Sequence, residues 1–251
     1  MDDFVGWARG LITIGLTLLL AMLRLDAERF GTAEYYEATR DGERPKIRRR
    51  MAWYALGIGM AVAILFVHPA PQRELFLGSG DRLGAVLGGL AYGLAGVAFA
   101  IAFATVRYHR IRFPEVWSYP GALLNSTATA FIDEAAFRGA LFGLLLSTGL
   151  DPTLANIVQA LLYTLTTRLG APGRDHYLLL MALAMGLVGG WLTAATGGIA
   201  AAFLGAAITR FAVFLCTGHT GQTKPRGREE EEIEKRRRTP EGWRVIGSRE
   251  R

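Results

Sequence analysis

The stretch FIDEAAFRGALFGLLL, Phe131 to Leu146, places Asp133, Glu134 and Arg138 inside a long apolar run. Each charge at the centre of a membrane helix costs roughly 2.5–3.5 kcal/mol on insertion scales, so three unpaired charges would cost on the order of 8–10 kcal/mol. A chain keeps such groups when they pair, face a wet cavity, or both. Glu134 and Arg138 stand four residues apart, so a helix brings them to one face where they can pair. Asp133 lies about 100° around the helix from Glu134 and is left over. The trio carries a net charge of −1, and something else must neutralise, protonate or hydrate Asp133. One reading is a buried ion pair that fixes helix packing. The other is a polar site within a bundle, because ionisable residues inside membranes are usually functional.

Working outward, the same apolar character recurs along the chain. Of 251 residues, 51% are hydrophobic. Apolar runs lie near 4–24, 51–69, 83–106, 120–148, 152–168, 176–197 and 199–217, which makes seven candidate spans. Backbone polar groups in lipid have no water to bond, so such runs form helices. The fold class expected is all-α: a polytopic transmembrane bundle over 1–217, followed by a charged, largely disordered tail over 218–251. Asp2 and Asp3 stand where a secretion signal carries positive charge, so the first run is expected to remain as a helix.

Positive charge alternates across these spans. With seven of them, 22 of the 28 Lys and Arg residues fall on one side, in the links 26–50, 107–119 and 168–175 and in the tail. The positive-inside rule then puts the N-terminus outside and the tail in the cytoplasm. The expected location is a cell membrane crossed many times, a bacterial inner membrane in particular. The lipid bilayer is the first expected partner, and the net charge of +6 fits topology and contact with anionic lipid. No aromatic-interleaved basic groove suggests nucleic acid. The link 26–50 is mixed in charge and has room for a short surface helix. In the tail, Glu231 with Lys235, Glu232 with Arg236 and Glu234 with Arg238 are spaced for helical ion pairs. Cys216, the single cysteine, reads as a buried inert thiol. Gly6 with Gly10, Gly89 with Gly93 and Gly186 with Gly190 have the spacing that lets helix backbones approach closely.

DEAAFRGALFG resembles the E-E-x-x-x-R motif of the CPBP family, the CAAX proteases and bacteriocin-processing enzymes. Asp133 stands for the first Glu of that motif, and Glu134, Phe137, Arg138 and Gly139 match. Two later signatures follow at the family's order and spacing. Tyr163 takes the aromatic position of an aromatic-x-x-x-His motif, and Thr167 the His position. Trp191, Thr196 and Gly197 match the turn before the last motif, in which Gly205 takes the second His position and Thr209 the Asn position. The resemblance spans about 120–212. It implies an intramembrane endopeptidase acting on a membrane-anchored or prenylated peptide. In that family the first Glu and first His activate water, and the second His and the Asn stabilise the oxyanion or help to hold a metal.

Here both His positions are replaced. Thr167 can donate a hydrogen bond but is no base near neutral pH, and Gly205 offers no side chain. A metal, possible in the family, would lack its imidazole ligands, so no cofactor is expected. His68, His109, His176 and His219 lie elsewhere, and His176 is the only one between the motif-bearing helices. Arg210, next to Thr209, either neutralises Asp133 in a balanced cluster of four charges or snorkels to the inner interface. GSGD at Gly78–Asp81 reads as a loop turn, and the sequon at Asn125 lies inside a helix. No H-E-x-x-H or G-x-S-x-G is present.

Three functions remain open. The first is a degenerate family member that binds or protects, with Asp133, Glu134, Arg138 and Thr167 as relics of the catalytic set and Tyr163, Thr209 and Arg210 lining a binding site. The second is an active endopeptidase that uses Asp133 or Glu134 to activate water. The third is a small ion- or proton-coupled transporter. Arg138 or Arg210 is expected beside Asp133, with no imidazole in reach.

Overall fold

The computed structural model describes residues 2–30, 44–108, 111–112, 119–170, 176–217 and 245–246. The fold is helical. In order come α1 (Asp2–Leu25), a 3-10 turn (Asp26–Glu28), α2 (Arg44–Val67), the short α3 (Pro71–Glu74), α4 (Arg82–Tyr108) and α5 (Pro120–Asp133). A π-helical stretch (Glu134–Leu141) leads straight into α6 (Phe142–Ser147), and α7 (Pro152–Gly170), α8 (His176–Thr196) and α9 (Ala200–Thr217) follow. One feature departs from a purely helical expectation. Strand β1 (Ile111–Arg112) pairs antiparallel with β2 (Val245–Ile246), with Ile111 opposite Ile246. His109, His219 and the ion pairs expected in the tail lie outside the described residues, as does 31–43 of the first long link.

Five helices are long and apolar enough to cross a membrane: Phe4–Leu25, Arg48–Val67, Arg82–Val106, His176–Thr196 and Ala200–Thr217. The outward faces of the first four carry exposed Leu, Ile, Val, Phe and Trp, among them Leu11, Leu56, Leu94, Leu180 and Trp191. Such surfaces belong in lipid, so the chain is a multi-pass membrane protein. The remaining two runs differ for visible reasons. The run 120–147 is helical throughout but carries Asp133, Glu134 and Arg138 and changes to π geometry at its middle. Helix α7 carries Asn156, Gln159 and several threonines.

The run 120–147 is the axis of the molecule. On one side Ile132, Ala136 and Phe137 share a core with Leu20, Trp53, Ile64 and Tyr163. On the other, Ala130 shares one with Tyr92, Phe103, Met185 and Val213. Trp53 Nε1 donates to the Leu23 carbonyl at 2.9 Å, which ties α2 to the end of α1. Between α7 and α8, Gln159 Nε2 donates to the Gly186 carbonyl at 2.9 Å and Asn156 Nδ2 to the Leu187 carbonyl at 3.0 Å. Asn125 is buried and donates to Tyr54 Oη at 2.6 Å, so the sequon is a helix contact.

Helix α4 lies along α9, and its glycines allow this. A Cβ at Gly89 would press on Leu204, at Gly93 on Ile208, and at Gly96 on Thr209. Gly186 and Gly190 play the same part against α7, whereas Gly6 and Gly10 have nothing of this chain within 4 Å. After α3, Leu75 and Leu77 turn inward and cover Gly139 and Gly143. Asp81 accepts from the Gly84 N–H at 2.8 Å and caps α4, so GSGD is a turn. The Asp81 N–H donates to the Thr196 carbonyl at 2.7 Å and the Ile199 N–H to the Phe76 carbonyl at 3.0 Å, which joins this loop to the α8–α9 turn. Gly197 makes that turn at φ +72°, where a side chain would be strained.

Candidate active site

The site begins where the axis changes pitch. Asp133 is the last residue of α5 and Glu134 the first of the π-helical stretch. An i→i+5 turn is wider than an α turn, and such turns gather at functional places in helices. Here the neighbouring acids reach separate partners. Glu134 Oε2 lies 3.3 Å from Arg138 Nε, the pairing expected from their spacing. The Arg138 guanidinium carbon sits 4.1 Å from the centroid of the Tyr163 ring, over its face. Phe137 meets the same ring edge-on at 5.3 Å. A cation over a phenol ring is favourable in a dry setting.

Asp133 is held from two other helices. Arg24, near the end of α1, places Nε 3.1 Å from Oδ1. Arg210 of α9 donates from Nη2 to Oδ2, and the same nitrogen reaches Tyr163 Oη at 3.0 Å. Of the two cations expected beside Asp133, Arg210 is there, and Arg138 instead faces Glu134. The choice left open for Arg210 is resolved in favour of pairing over snorkelling. The balanced cluster of four charges is corrected by this geometry: Arg24 makes it five. The side chains are closed from solvent, with Asp133 and Glu134 each 1% exposed, Arg24 3% and Arg138 0%. Ion pairs of this kind persist only with good geometry, because desolvation opposes them.

The family's other positions are closed as well. Thr167 is buried, one helical turn beyond Tyr163 on α7. Gly205 does not leave a gap. A Cβ there would overlap the Tyr92 ring, so Tyr92 of α4 fills the space of the second His. Tyr92 is fixed by its hydroxyl, which donates to the Met185 carbonyl at 3.2 Å. Thr209, at the Asn position, donates to the Gly205 carbonyl at 2.8 Å within its own helix. The imidazoles lie apart: His68 faces Glu74 at 3.5 Å on another loop, and His176 is exposed and stacks on Tyr177. Among the described residues, no group of three or more His, Cys, Asp and Glu gathers to hold a metal. The donor set does not fit one either, since each acid faces arginine and positions 167 and 205 supply no imidazole.

Two residues of the site were not singled out by sequence. Arg24 was visible as a charge within the first span, and an intramembrane charge is a fair signal. Tyr92 gave none, because it is a tyrosine in an apolar helix.

Fold and site together define the class: a membrane helix bundle whose central helix carries a buried acid–arginine cluster. Comparison with protein families refines this. Residues 115–211 match the family model described as Rce1-like, type II CAAX prenyl endopeptidase, and the CPBP resemblance read from the motifs is shown over that segment. The match takes in α5 to α9 up to Phe211, and it leaves out α1, the source of Arg24, and α4, the source of Tyr92. Neither the curated proteins nor the solved structures compared yield a match.

Proposed function

We propose that this CAAX-protease-like membrane protein binds or shields a membrane-anchored partner, such as a prenylated peptide, and does not hydrolyse it by the family's usual route. The observation that carries this reading is the double pairing of Asp133, whose two oxygens face Arg24 and Arg210. A general base must reach the proton it removes from water, and here each oxygen faces a guanidinium. Thr167 and Tyr92, at the places of the two imidazoles, supply neither a base nor a metal ligand near neutral pH.

We also infer seven passes, with the N-terminus outside and the tail inside, an arrangement suited to a bacterial inner membrane. The β1–β2 ladder is consistent with one part of it, because it brings the link after α4 and the tail to one side of the bilayer. An even number of crossings must then separate them. The run 120–147, α7, α8 and α9 make four. Helix α7, with 19 residues, is long enough at about 1.5 Å per residue to cross most of a ~30 Å core.

The test uses the full chain in proteoliposomes, mixed with a farnesylated CAAX-type peptide and followed by mass spectrometry. The peptide is expected to be retained and to stay intact. Cleavage that disappears in Asp133→Ala and in Glu134→Ala would overturn this reading and make the protein an active endopeptidase.

A further inference from the structure

Among the described residues, the buried cluster does not balance. Arg24, Arg138 and Arg210 face Asp133 and Glu134, and three cations against two acids leave one positive charge. A guanidinium does not lose its proton in proteins, so the surplus cannot be removed that way. A net charge within a bundle is costly unless a counter-charge joins it.

The free donors show where a counter-charge fits. Arg138 Nη1 and Nη2 are buried and have no hydrogen-bond partner among the described residues. Its Nε is turned to Glu134, and its face covers Tyr163. The backbone of Gly189 closes the Nε side, where a Cβ would come within 3.3 Å of that nitrogen. What is left without a partner among the described residues is the outer edge of the guanidinium, with two N–H groups side by side. That edge matches the two oxygens of a carboxylate. Arg210, at 12% the most exposed member of the cluster, marks the side of entry.

We propose that the Arg138 edge is a binding site for a monocarboxylate, whose single negative charge completes the cluster. This rests on reading the cluster as a closed, non-hydrolytic site. A planar monoanion meets both requirements, one charge and two coplanar acceptors. Two sources carry that chemistry: a small free acid, or the C-terminal carboxylate of a bound peptide.

The experiment uses the full chain in nanodiscs of neutral lipid. The thermal midpoint is followed while sodium acetate replaces sodium chloride at constant ionic strength. A ligand that binds the folded state alone raises the midpoint in a saturable way. Acetate is expected to do so in the wild type. Arg138→Lys keeps the charge but loses the fork, and is expected to weaken the apparent affinity by about tenfold. Arg24→Gln leaves the fork and removes the surplus charge, and is expected to weaken it by a similar factor, with Arg24→Lys restoring it. Should Arg138→Lys fail to fold, the Arg24 pair decides. The proposal is overturned if acetate has no saturable effect on the wild type, if chloride acts equally well, or if the effect survives both Arg24→Gln and Arg138→Lys unchanged. A second arm compares a farnesylated peptide with a free C-terminus against its C-terminal amide. Competition with acetate by the free acid alone assigns the carboxylate to a peptide end. Equal behaviour of the two peptides, with acetate still bound, assigns it to a small acid. Acetate binding does not depend on peptide cleavage, so failure here and failure of the non-hydrolytic reading are separate results.

Discussion

Gly205 and Tyr92 show how single residues settle the character of the site. A glycine at a His position suggests a gap that a designer could refill, but the Tyr92 ring lies where any Cβ would go. Gly205→His is therefore expected to overpack the α4–α9 contact and destabilise the protein by about 1–3 kcal/mol or more. Gly205→His with Tyr92→Ala is expected to recover part of that loss. Unfolding in mixed micelles compares the two, and a Gly205→His variant as stable as wild type would show that the space is open. At this scale the sequence was informative where partners are close in the chain. Glu134 and Arg138 sit four apart, and the helix did the rest. Arg24 and Tyr92 reach the site only through tertiary packing, for which no spacing rule exists.

At the scale of elements, three pairs of glycines read alike in the sequence and behave differently in the fold. Gly89 and Gly93, with Gly96 one turn on, seat α4 against α9; Gly6 and Gly10 face no part of the chain. Gly96→Ala is expected to destabilise by about 1–3 kcal/mol, through the clash with Thr209. Gly6→Ala and Gly10→Ala are expected to stay within about 0.5 kcal/mol of wild type. The same unfolding measurement on all three variants checks this. A Gly96→Ala protein indistinguishable from Gly6→Ala would mean that α4 and α9 are not so closely joined. The existence of the helices was legible, because apolar runs in lipid have few other forms. The π-helical pitch at Glu134–Leu141 was not, since it answers to partners on α1, α8 and α9 rather than to a local pattern.

For the whole molecule, topology is the property most open to direct test. Cys216 is the single cysteine and is buried, so Cys216→Ser gives a blank background for labelling. In that background Ser79→Cys, in the exposed loop after α3, is expected to react with a membrane-impermeant maleimide from outside intact cells. Thr223→Cys in the tail is expected to react only after lysis. Labelling of both from one side would break the seven-pass arrangement. Charge counting led to the proposed arrangement, and the short β1–β2 ladder, which no residue pattern announces in a chain of this kind, is consistent with its placing the link after α4 and the tail on one side.

The acids of the central helix are held by arginines from three different elements, and a double-mutant cycle on Asp133→Asn and Arg24→Gln measures that most directly. Asp133→Asn alone is expected to cost about 3–5 kcal/mol, because it leaves two buried guanidiniums facing a neutral amide. The double variant is expected to lose less than the sum of the single losses, with a coupling of about 1–3 kcal/mol. Losses that simply add would mean that Arg24 and Asp133 do not meet in the bundle, and the double pairing of Asp133 would fail.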